Sequence, residues 1–418
     1  MKKKVLAALL TFTMVAGMLS GCGSKTGSEE ELTVWLPAFA GNDSSKSDED
    51  FWAEQFKPFE EENNCKVNFE VVPWDNYEEK YLTGVNSDEG PDVGYMYMEM
   101  FYDYINMGAL EPLEAYFKEE DTKNYLYYDL GNFNGVQYAL PAVVGNPRVF
   151  VANMDILNAA GIDKIPSNWE ELVTACKAVQ AYDPNIYPIA QEWGNTHYGS
   201  LNEIFWPYFW AAGGEITDAD GNPNINSEAG LKAAEFIYSL KKDGILTDSV
   251  TSIDDQNALF KSGQAAMTVV ATSLAAAYDE AGINWEFTPC LAGPAGEGKT
   301  FVAADSLVMF SKCKNKELAA KAMKFITSPK VMEAFHTSLY SMPPISTDEE
   351  YKDLPKYQDM YQNESAKFQS LPVFEGATSF YDSLFKNLQS MLMDEMTPQE
   401  VLDNTMNYYN ESIKTKSK

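Results

Sequence analysis

The sequence predicts an α/β protein built as two lobes, with a largely parallel sheet. Short apolar or alternating runs that are typical of strands are separated by stretches with helical spacing, which indicates βαβ units. At 418 residues the chain is longer than one hydrophobic core usually serves, so two lobes are expected. Hydrophobic residues make up 45% and charged residues 22%, which is the composition of a globular protein.

The first hundred residues carry the strand and helix alternation most clearly. We expect a strand over residues 32–37, a helix over 51–62 and an alternating strand over 66–72. A second helix over 74–82 and a short strand ending near residue 96 complete the pattern. Residues 41–50 are polar and are expected to form a loop insertion.

Helix-capping signals mark the second half of the chain. Ser167 with Glu170 is typical of a capping box, and Ser227 caps a helix that stops at Gly244. Apolar residues at helical spacing over 318–326 predict another helix. Thr397-Pro398-Gln399-Glu400 combines a capping box with a proline at the first helical position, so a helix is expected near the end of the sequence.

The charge balance excludes several classes of partner. The chain has 62 Asp and Glu against 31 Lys and Arg, a net charge of −31. Because affinity for nucleic acid and for anionic lipid depends on clustered basic residues, neither is an expected partner. Arg148 is the only arginine, and planar recognition of phosphate or carboxylate favours arginine, so a neutral ligand is expected over an anionic one.

The N-terminal segment predicts export and attachment to a membrane. Three lysines at 2–4 precede an apolar run over residues 5–19, which is too short to span a bilayer. Leu19-Ser20-Gly21-Cys22 resembles a bacterial lipobox, in which the cysteine is lipidated. We therefore expect a signal peptide over 1–21, a flexible tether over 22–30 and a lipid-anchored protein on the extracytoplasmic face of the cell membrane. Removing residues 1–21 takes the net charge to −34.

The sequence carries no motif for a cofactor, a metal or a catalytic group. Cys65, Cys176, Cys290 and Cys313 have no zinc-type spacing, and whether they pair in disulfides stays open. The two histidines stand in no triad or metal motif, and no phosphate-binding glycine loop is present. Residues 218–222 carry aspartates and glycine that favour a hairpin turn over a calcium loop.

Aromatic residues are enriched and clustered. They make up 13% of the chain and concentrate over residues 95–104, residues 193–210 and residues 380–381. Rings cover the apolar faces of sugars while carboxylates and amides bind the hydroxyls, so these clusters indicate a neutral ligand rich in hydroxyl groups. Most single rings are expected in the core, and those at the carboxyl ends of strands are the better candidates for a site.

The sequence resembles the extracellular sugar-binding proteins of bacterial ABC importers, in the maltose and multiple-sugar-binding group. The resemblance covers nearly the whole mature chain. It rests on the order of these motifs: PDV at 91–93 through GAL at 108–110, GVQYALP at 135–141, VANMDIL at 151–157, PSNWEEL at 166–172, AGG at 212–214, FKSGQAAM at 260–267, KELA at 316–319 and MPP at 342–344.

The resemblance implies a periplasmic-binding-protein-like fold of the class II type. It implies a first lobe over 31–141 plus 286–341 and a second lobe over 142–285 plus 342–418, joined by a hinge. The expected protein is a monomer that closes its cleft around an oligosaccharide and presents it to the transmembrane subunits of an ABC permease.

The resemblance also implies where ligand contacts lie. Glu99 matches the carboxylate that follows the PDV strand, and Tyr95 or Tyr97 replaces the aromatic residue whose slot holds Met96. Asn202 and Glu203 stand nearest to the acid expected before Trp206. The remaining expected contacts are Trp35 in the first strand, Ser273 where relatives often place a tryptophan, Asp305, and Tyr381 in the loop after Pro372.

Two other functions remain open from the sequence. The same fold with a carboxylate-rich cleft would bind a cation such as a polyamine, drawn by the acidic surface. A secreted glycoside hydrolase is less favoured, because no pair of carboxylates stands in a recognisable motif.

Overall fold

The computed structural model describes residues 30–40, 46–87, 89–247, 249–275, 277–339, 346–348 and 355–413. The expected signal peptide, the lipidation site at Cys22 and the tether up to residue 29 lie outside the described residues. The same holds for residues 41–45 of the expected polar loop.

The described residues form twelve strands and seventeen α-helices. The strands are β1 Glu30–Pro37, β2 Cys65–Val72, β3 Val93–Met96, β4 Asn132–Phe133, β5 Val136–Gln137, β6 Ala139–Gly145, β7 Arg148–Asn153, β8 Met267–Ala271, β9 Trp285–Thr288, β10 Thr300–Phe301, β11 Ala303–Met309 and β12 Phe368–Gln369. The helices are α1 Asp48–Asn63, α2 Tyr77–Ser87, α3 Met98–Asn106, α4 Glu119–Thr122, α5 Met154–Ala159, α6 Trp169–Tyr182, α7 Leu201–Ile204, α8 Trp206–Ala211, α9 Glu228–Lys242, α10 Ile253–Lys261, α11 Thr272–Ala275, α12 Ala277–Glu280, α13 Lys316–Ile326, α14 Pro329–Ser338, α15 Pro355–Asn363, α16 Ala377–Leu392 and α17 Pro398–Tyr408.

A five-stranded mixed sheet organises the first lobe. Its strand order is β2-β1-β3-β11-β6. β1 pairs in parallel with β2 and β3, whereas β11 runs antiparallel to both β3 and β6. The prediction of a largely parallel sheet is therefore confirmed for β2-β1-β3 and wrong for the rest. β11 breaks the pattern because it enters the sheet after a return from the second lobe and not through a local βαβ unit.

A three-stranded antiparallel sheet, β8-β7-β9, organises the second lobe. The two faces of β7 separate two apolar cores, as the alternation of side chains along a strand requires. Phe150 and Ala152 join the large core, whereas Val149 and Val151 pack in a smaller cluster with Tyr357 of α15. The predicted second lobe, residues 142–285 plus 342–418, would also hold α5 to α12 and α15 to α17.

The chain passes between the two sheets at defined points. β6 belongs to the first sheet and β7 to the second, so the first crossing is Asn146 with Pro147. The second crossing is residues 289–302, between β9 and β11, and its β10 pairs in parallel with β12. The predicted lobe boundaries at 141/142 and 285/286 stay predictions. The chain changes from one sheet to the other a few residues after each of these boundaries.

The predicted helices and strands are present, with shifts at their ends. The helix expected over 74–82 starts as a 3₁₀ turn at Trp74–Asn76 and continues as α2. The caps expected at Ser227 and Thr397 are confirmed. α6 is capped by Asn168, one residue beyond the expected position, because its Oδ1 accepts a bond from the backbone N–H of Glu171 at 2.9 Å.

Three further features were addressed by the sequence: membrane-spanning helices, disulfides and the turn at residues 218–222. None of the helices in the described ranges is long and apolar enough to cross a bilayer. Among those same residues, Cys65, Cys176, Cys290 and Cys313 form no disulfide, which answers the question that the sequence left open. The expected turn at residues 218–222 is confirmed, since Asp218 Oδ1 accepts bonds from the backbone N–H groups of Asp220 and Asn222 at 2.9 Å.

Candidate functional site

Aromatic rings gather at the carboxyl ends of β1 and β3 in the first lobe. The ring of Phe39, just past β1, lies 5.4 Å from that of Tyr95 and 6.0 Å from that of Trp74. Trp74 stacks on Tyr77 at 5.0 Å and lies 6.4 Å from Tyr97. This is the edge of an α/β sheet at which ligands bind. The sequence reasoning missed Trp74, although a Pro-Trp-Asp turn after a strand was the available signal.

A hydrogen-bonded cluster joins this wall to the second lobe. The Glu78 carboxylate of α2 accepts hydrogen bonds from the hydroxyls of Tyr97 and Tyr198, the latter at 3.1 Å. His197 Nε2 lies 3.3 Å from the same carboxylate oxygen. Since Glu78 belongs to the first lobe and His197 and Tyr198 to the second, the two lobes are in direct contact. We call the space between the lobes beside this contact the cleft.

The second lobe contributes rings of its own. Tyr381 of α16 lies 5.5 Å from the ring of Trp206 and 6.1 Å from that of Tyr198. Tyr198 in turn lies 3.4 Å, hydroxyl to hydroxyl, from Tyr97 of the first lobe. Tyr95, Tyr97, Trp206 and Tyr381, expected from separate parts of the sequence, are thus connected through ring and hydroxyl contacts.

Ten buried side-chain polar atoms of the described residues make no hydrogen bond in the structure, and four of them belong to residues that the sequence predicts as ligand contacts. These four are Asn202 Oδ1, Trp206 Nε1, Ser273 Oγ and Tyr381 Oη, and within the described ranges no residue supplies a partner for them. A buried polar atom left unpaired costs about 1–3 kcal/mol. Such atoms pick out a place where a ligand that carries hydroxyl groups replaces the missing bonds.

Buried carboxyl groups line the first-lobe side. Burial, reinforced by the neighbouring charge of Asp305, raises the pKa of Glu99 to about 8. Asp305, at an irregularity in the pairing of β11 with β6, accepts a hydrogen bond from the Tyr95 hydroxyl at 2.7 Å. Burial raises its pKa to about 6, against the lowering effect of that bond. In both groups burial favours the neutral, protonated carboxyl group.

The pKa of Glu78 is lowered, whereas those of Glu99 and Asp305 are raised. Its burial would raise the pKa, but the hydrogen bonds from His197 and Tyr97 outweigh that effect and lower it to about 2. Burial lowers the pKa of His197, yet the bond to Glu78 and its charge outweigh burial, so the net shift is upward. The contact between Glu78 and His197 therefore lowers the pKa of the carboxyl group and raises that of the imidazole.

Glu203 is held by an internal partner. Arg148 Nε donates to Glu203 Oε1 at 2.6 Å, and the side chains are 18% and 7% exposed. Burial raises the pKa of Glu203 even though the guanidinium opposes it. The carboxylate expected to meet ligand is therefore already occupied by Arg148.

Trp35 is not brought to the cleft. Its ring packs in the first-lobe core, 5.2 Å from the ring of Tyr81. Lys80 Nζ lies 4.9 Å from the centroid of the Trp35 ring. Trp35 is 6% exposed. The strand ends two residues later at Pro37, and Phe39 takes the position that faces the cleft rings. We do not retain Trp35 in the site.

The donor set is that of a binding site and not of a metal centre. Over the described part of the chain, no group of three or more His, Cys, Asp or Glu side chains is arranged to hold a metal ion. The carboxylates instead meet hydroxyls, a guanidinium and an imidazole. What the arrangement can do is accept and donate hydrogen bonds to a ligand enclosed between aromatic walls.

Two α/β lobes, two described chain crossings between them and a polar, ring-lined cleft define a two-lobe solute-binding protein. The chain belongs to the bacterial extracellular solute-binding protein family, whose family model matches residues 42–333, more than half of the chain. The family is one of binding proteins, and the chain is a binding protein rather than an enzyme, which excludes the hydrolase reading.

Individual relatives agree with this assignment. The chain is 28% identical over 369 residues to a candidate binding protein of Brucella abortus, covering 84% of this chain and 87% of that one. It is 26% identical over 366 residues to the diacetylchitobiose binding protein DasA of Streptomyces coelicolor, covering 79% of each. The fold is similar to the ABC substrate-binding protein Lmo0181 of Listeria monocytogenes, solved with cycloalternan, with a TM-score of 0.78, 19% identity and coverage of 92% and 99%.

Proposed function

We propose that the protein is the lipid-anchored substrate-binding component of an ABC importer for a neutral oligosaccharide. It captures the sugar between its lobes, closes by hinge motion and presents the loaded form to the permease. The observation that carries this proposal is that four predicted contacts, Asn202, Trp206, Ser273 and Tyr381, each have a buried polar atom without a partner, and that the rings of Trp206 and Tyr381 lie 5.5 Å apart.

The proposed contacts divide by chemistry. Aromatic faces for the sugar rings come from Tyr95, Tyr97, Trp206 and Tyr381, together with Trp74 at the cleft mouth, where it is 38% exposed. Hydrogen bonds to hydroxyls come from Asn202, Ser273, Glu99 and Asp305 and from the polar atoms of Trp206 and Tyr381. Glu203 contributes through Arg148 instead of through a direct contact.

The names of two similar proteins support a sugar as the ligand. DasA is a diacetylchitobiose binding protein, and Lmo0181 was solved with cycloalternan. Both ligands are built from several sugar units. The identity of this chain's own sugar, its linkage and its length are left to the screen described below.

We propose anchoring at Cys22 on the extracytoplasmic face, after removal of residues 1–21. The lipobox-like Leu19-Ser20-Gly21-Cys22 supports this, and residues 22–29 would serve as the tether. A mature net charge of −34 would keep a monomeric body soluble beside an anionic membrane, so that lipid and not basic residues would hold it there. Metabolic labelling with a palmitate analogue tests the anchor, because Cys22→Ala should abolish the label.

A thermal-shift screen at neutral pH tests the ligand class. Neutral oligosaccharides of differing linkage and length are expected to raise the melting temperature, and spermidine is not. The Asn202→Ala variant should lose most of the response to the same sugar. Silence across the sugars, with a shift on spermidine, would contradict the proposal.

A cationic solute is the second candidate, because the cleft is rich in carboxylates. Glu78, Glu99, Glu192, Glu203 and Asp305 are buried or partly buried there, and among the described residues Arg148 and His197 are the cations that face them. A cation would ionise Glu99 and Asp305 fully, so its affinity would rise steeply between pH 6 and pH 8. Calorimetry of spermidine across that range distinguishes the two candidates.

A further inference from the structure

Arg148 stands at the junction of the two sheets. It is the only arginine of the chain and the first residue of β7, directly after the first crossing. Its side chain is largely buried, at 18% exposure. A buried arginine is costly unless every part of its guanidinium is used, so its contacts are informative.

Three contacts radiate from this one guanidinium. Nη1 donates to the backbone carbonyl of Asn146 in the first crossing at 2.9 Å. The guanidinium carbon lies 4.9 Å from the ring centroid of Phe301 in the second crossing. Nε donates to Glu203 of α7, the residue after Asn202, whose unpartnered Oδ1 belongs to the proposed site. One planar group therefore contacts both crossings and the helix that carries a cleft residue.

The backbone of the first crossing is held in an uncommon conformation. Gly145 has φ of +105° and Asn146 has φ of +47°, two successive residues in the left-handed half of the map. Asn146 connects this turn to α11, because its Oδ1 accepts hydrogen bonds from Thr272 Oγ1 at 3.2 Å and from the backbone N–H of Ser273 at 3.1 Å. A few residues that absorb large backbone changes are the usual form of a hinge.

The second crossing is also hydrogen-bonded to residue 148. The Thr300 hydroxyl donates to the backbone carbonyl of Arg148. Next to it, Phe301 pairs with Gln369 in the short ladder of β10 with β12. The crossings are thus cross-linked through the main chain and the side chain of residue 148.

We propose that Arg148 is the positioning residue that couples the hinge to the cleft, holding both crossings in the geometry that the closed site requires. The inference rests on the proposed closure of the lobes around a ligand. Loss of Arg148 leaves Glu203 buried and unpaired beside Asn202 and removes the contact with both crossings, so it speeds ligand release and loosens the angle between the lobes. Lysine keeps the charge but loses the planar fork, and it restores the function only in part.

Two readouts test the proposal in the full mature chain. Spin labels at E61C on α1 and E235C on α9, both exposed, give the distribution of distances between the lobes without ligand. Stopped-flow mixing gives the dissociation rate of the oligosaccharide that the screen identifies. We expect R148M to broaden the distance distribution and to speed dissociation about tenfold or more, with R148K in between.

The control removes an ion pair of similar length elsewhere. Lys316 Nζ lies 2.8 Å from Glu111 Oε2 in the first lobe, and K316M should leave both readouts at the wild-type values. A lower melting temperature in R148M with wild-type distances and dissociation rate would reduce Arg148 to a structural residue and overturn the proposal.

Two other outcomes also test the proposal: R148M does not fold, or the wild type binds no oligosaccharide. If R148M does not fold, the E203Q variant is used, because it removes only the anionic partner of Arg148. E203Q should shift both readouts in the same direction as R148M by a smaller factor. Wild-type values of both readouts in E203Q would overturn the proposal. If the wild type binds no oligosaccharide, the proposed function fails. The distance distributions then still support the coupling if R148M broadens them, and overturn it if it does not.

Discussion

At the scale of single residues, Tyr381 combines full burial with an unpartnered hydroxyl. Its ring packs against Trp206 and Phe374, while its oxygen has no partner among the residues that the structure describes. An evolved core does not ordinarily retain such an atom, because phenylalanine would fill the same space without the cost. We propose that ligand recognition accounts for the hydroxyl.

Tyr381→Phe should therefore separate stability from binding. We expect the free energy of unfolding of the ligand-free protein to rise by about 1 kcal/mol, because an unsatisfied polar atom is removed. Affinity for the sugar should fall about tenfold, the worth of one hydrogen bond to a ligand. Chemical denaturation and calorimetry measure the two quantities.

Tyr278→Phe is the matched control. The Tyr278 hydroxyl donates to Asn257 Oδ1 at 2.6 Å in the smaller apolar cluster of the second lobe. Its loss should lower stability and leave affinity unchanged. A Tyr381→Phe protein that is destabilised and binds normally would contradict the role given to that hydroxyl.

Glu99 predicts an unusual dependence of stability on pH. Burial raises the pKa of Glu99 to about 8 in the folded, ligand-free protein, whereas this glutamate has its ordinary pKa of 4.5 in the unfolded chain. Stability must therefore fall as pH rises between these values. Asp305 and Glu192, whose pKa values burial raises to about 6 and about 7, act in the same direction. So does His197, since a raised imidazole pKa gives stability that is lost as pH rises through it.

The melting temperature should thus be higher at pH 5 than at pH 8 in the absence of ligand. Glu99→Gln should flatten this slope, since the amide cannot titrate, and the exposed Glu235→Gln should not. Scanning calorimetry at both pH values makes the comparison. Equal slopes in Glu99→Gln and wild type would show that Glu99 is ionised in the ligand-free fold.

Sequence reasoning reached some of the residues of the candidate site and missed others. Tyr95 and Tyr381 follow features that can be read locally, a strand end and a loop before a helix. Glu78 is invisible at that level because its role depends on His197 and Tyr198, 119 and 120 positions away. Trp35 looks equivalent to any ring near a strand end, and only packing against Tyr81 reveals that it lies in the core.

At the scale of helices and strands, the caps were the most predictable features, because their chemistry is local. Thr397 accepts a bond from the backbone N–H of Glu400 at 3.3 Å, while Glu400 bonds back to the Thr397 N–H at 2.7 Å. The orientation of β11 was not predictable, since it depends on where the chain re-enters the first lobe. The two positive φ values at Gly145 and Asn146 likewise become meaningful only once the crossing is known.

Thr397→Ala tests the cap at the start of α17. Loss of the threonine hydroxyl should lower the free energy of unfolding by about 1 kcal/mol, because the backbone N–H of Glu400 loses its acceptor and the Glu400 carboxylate loses one donor. Thr174→Ala, at an exposed position within α6, should have a smaller effect or none. Both variants should bind ligand as the wild type does. Denaturation midpoints provide the measurement, and an equal loss in both variants would remove the special role of the cap.

At the scale of the whole molecule, the two lobes touch through Glu78, His197 and Tyr198, and the crossings converge on Arg148. Closure around a ligand therefore requires that the cleft polar groups be satisfied and that the crossings hold their geometry. The acidic surface sets solubility, whereas the polar and aromatic composition of the cleft sets what is bound.

The most direct test of the central claim is a calorimetric titration of the mature wild-type chain at pH 7 with neutral oligosaccharides, with spermidine in the same series. The account predicts saturable binding of at least one neutral oligosaccharide at one site per chain, lost or strongly weakened in Asn202→Ala, and no heat from spermidine. Binding of spermidine alone, or sugar binding that Asn202→Ala leaves unchanged, would contradict it.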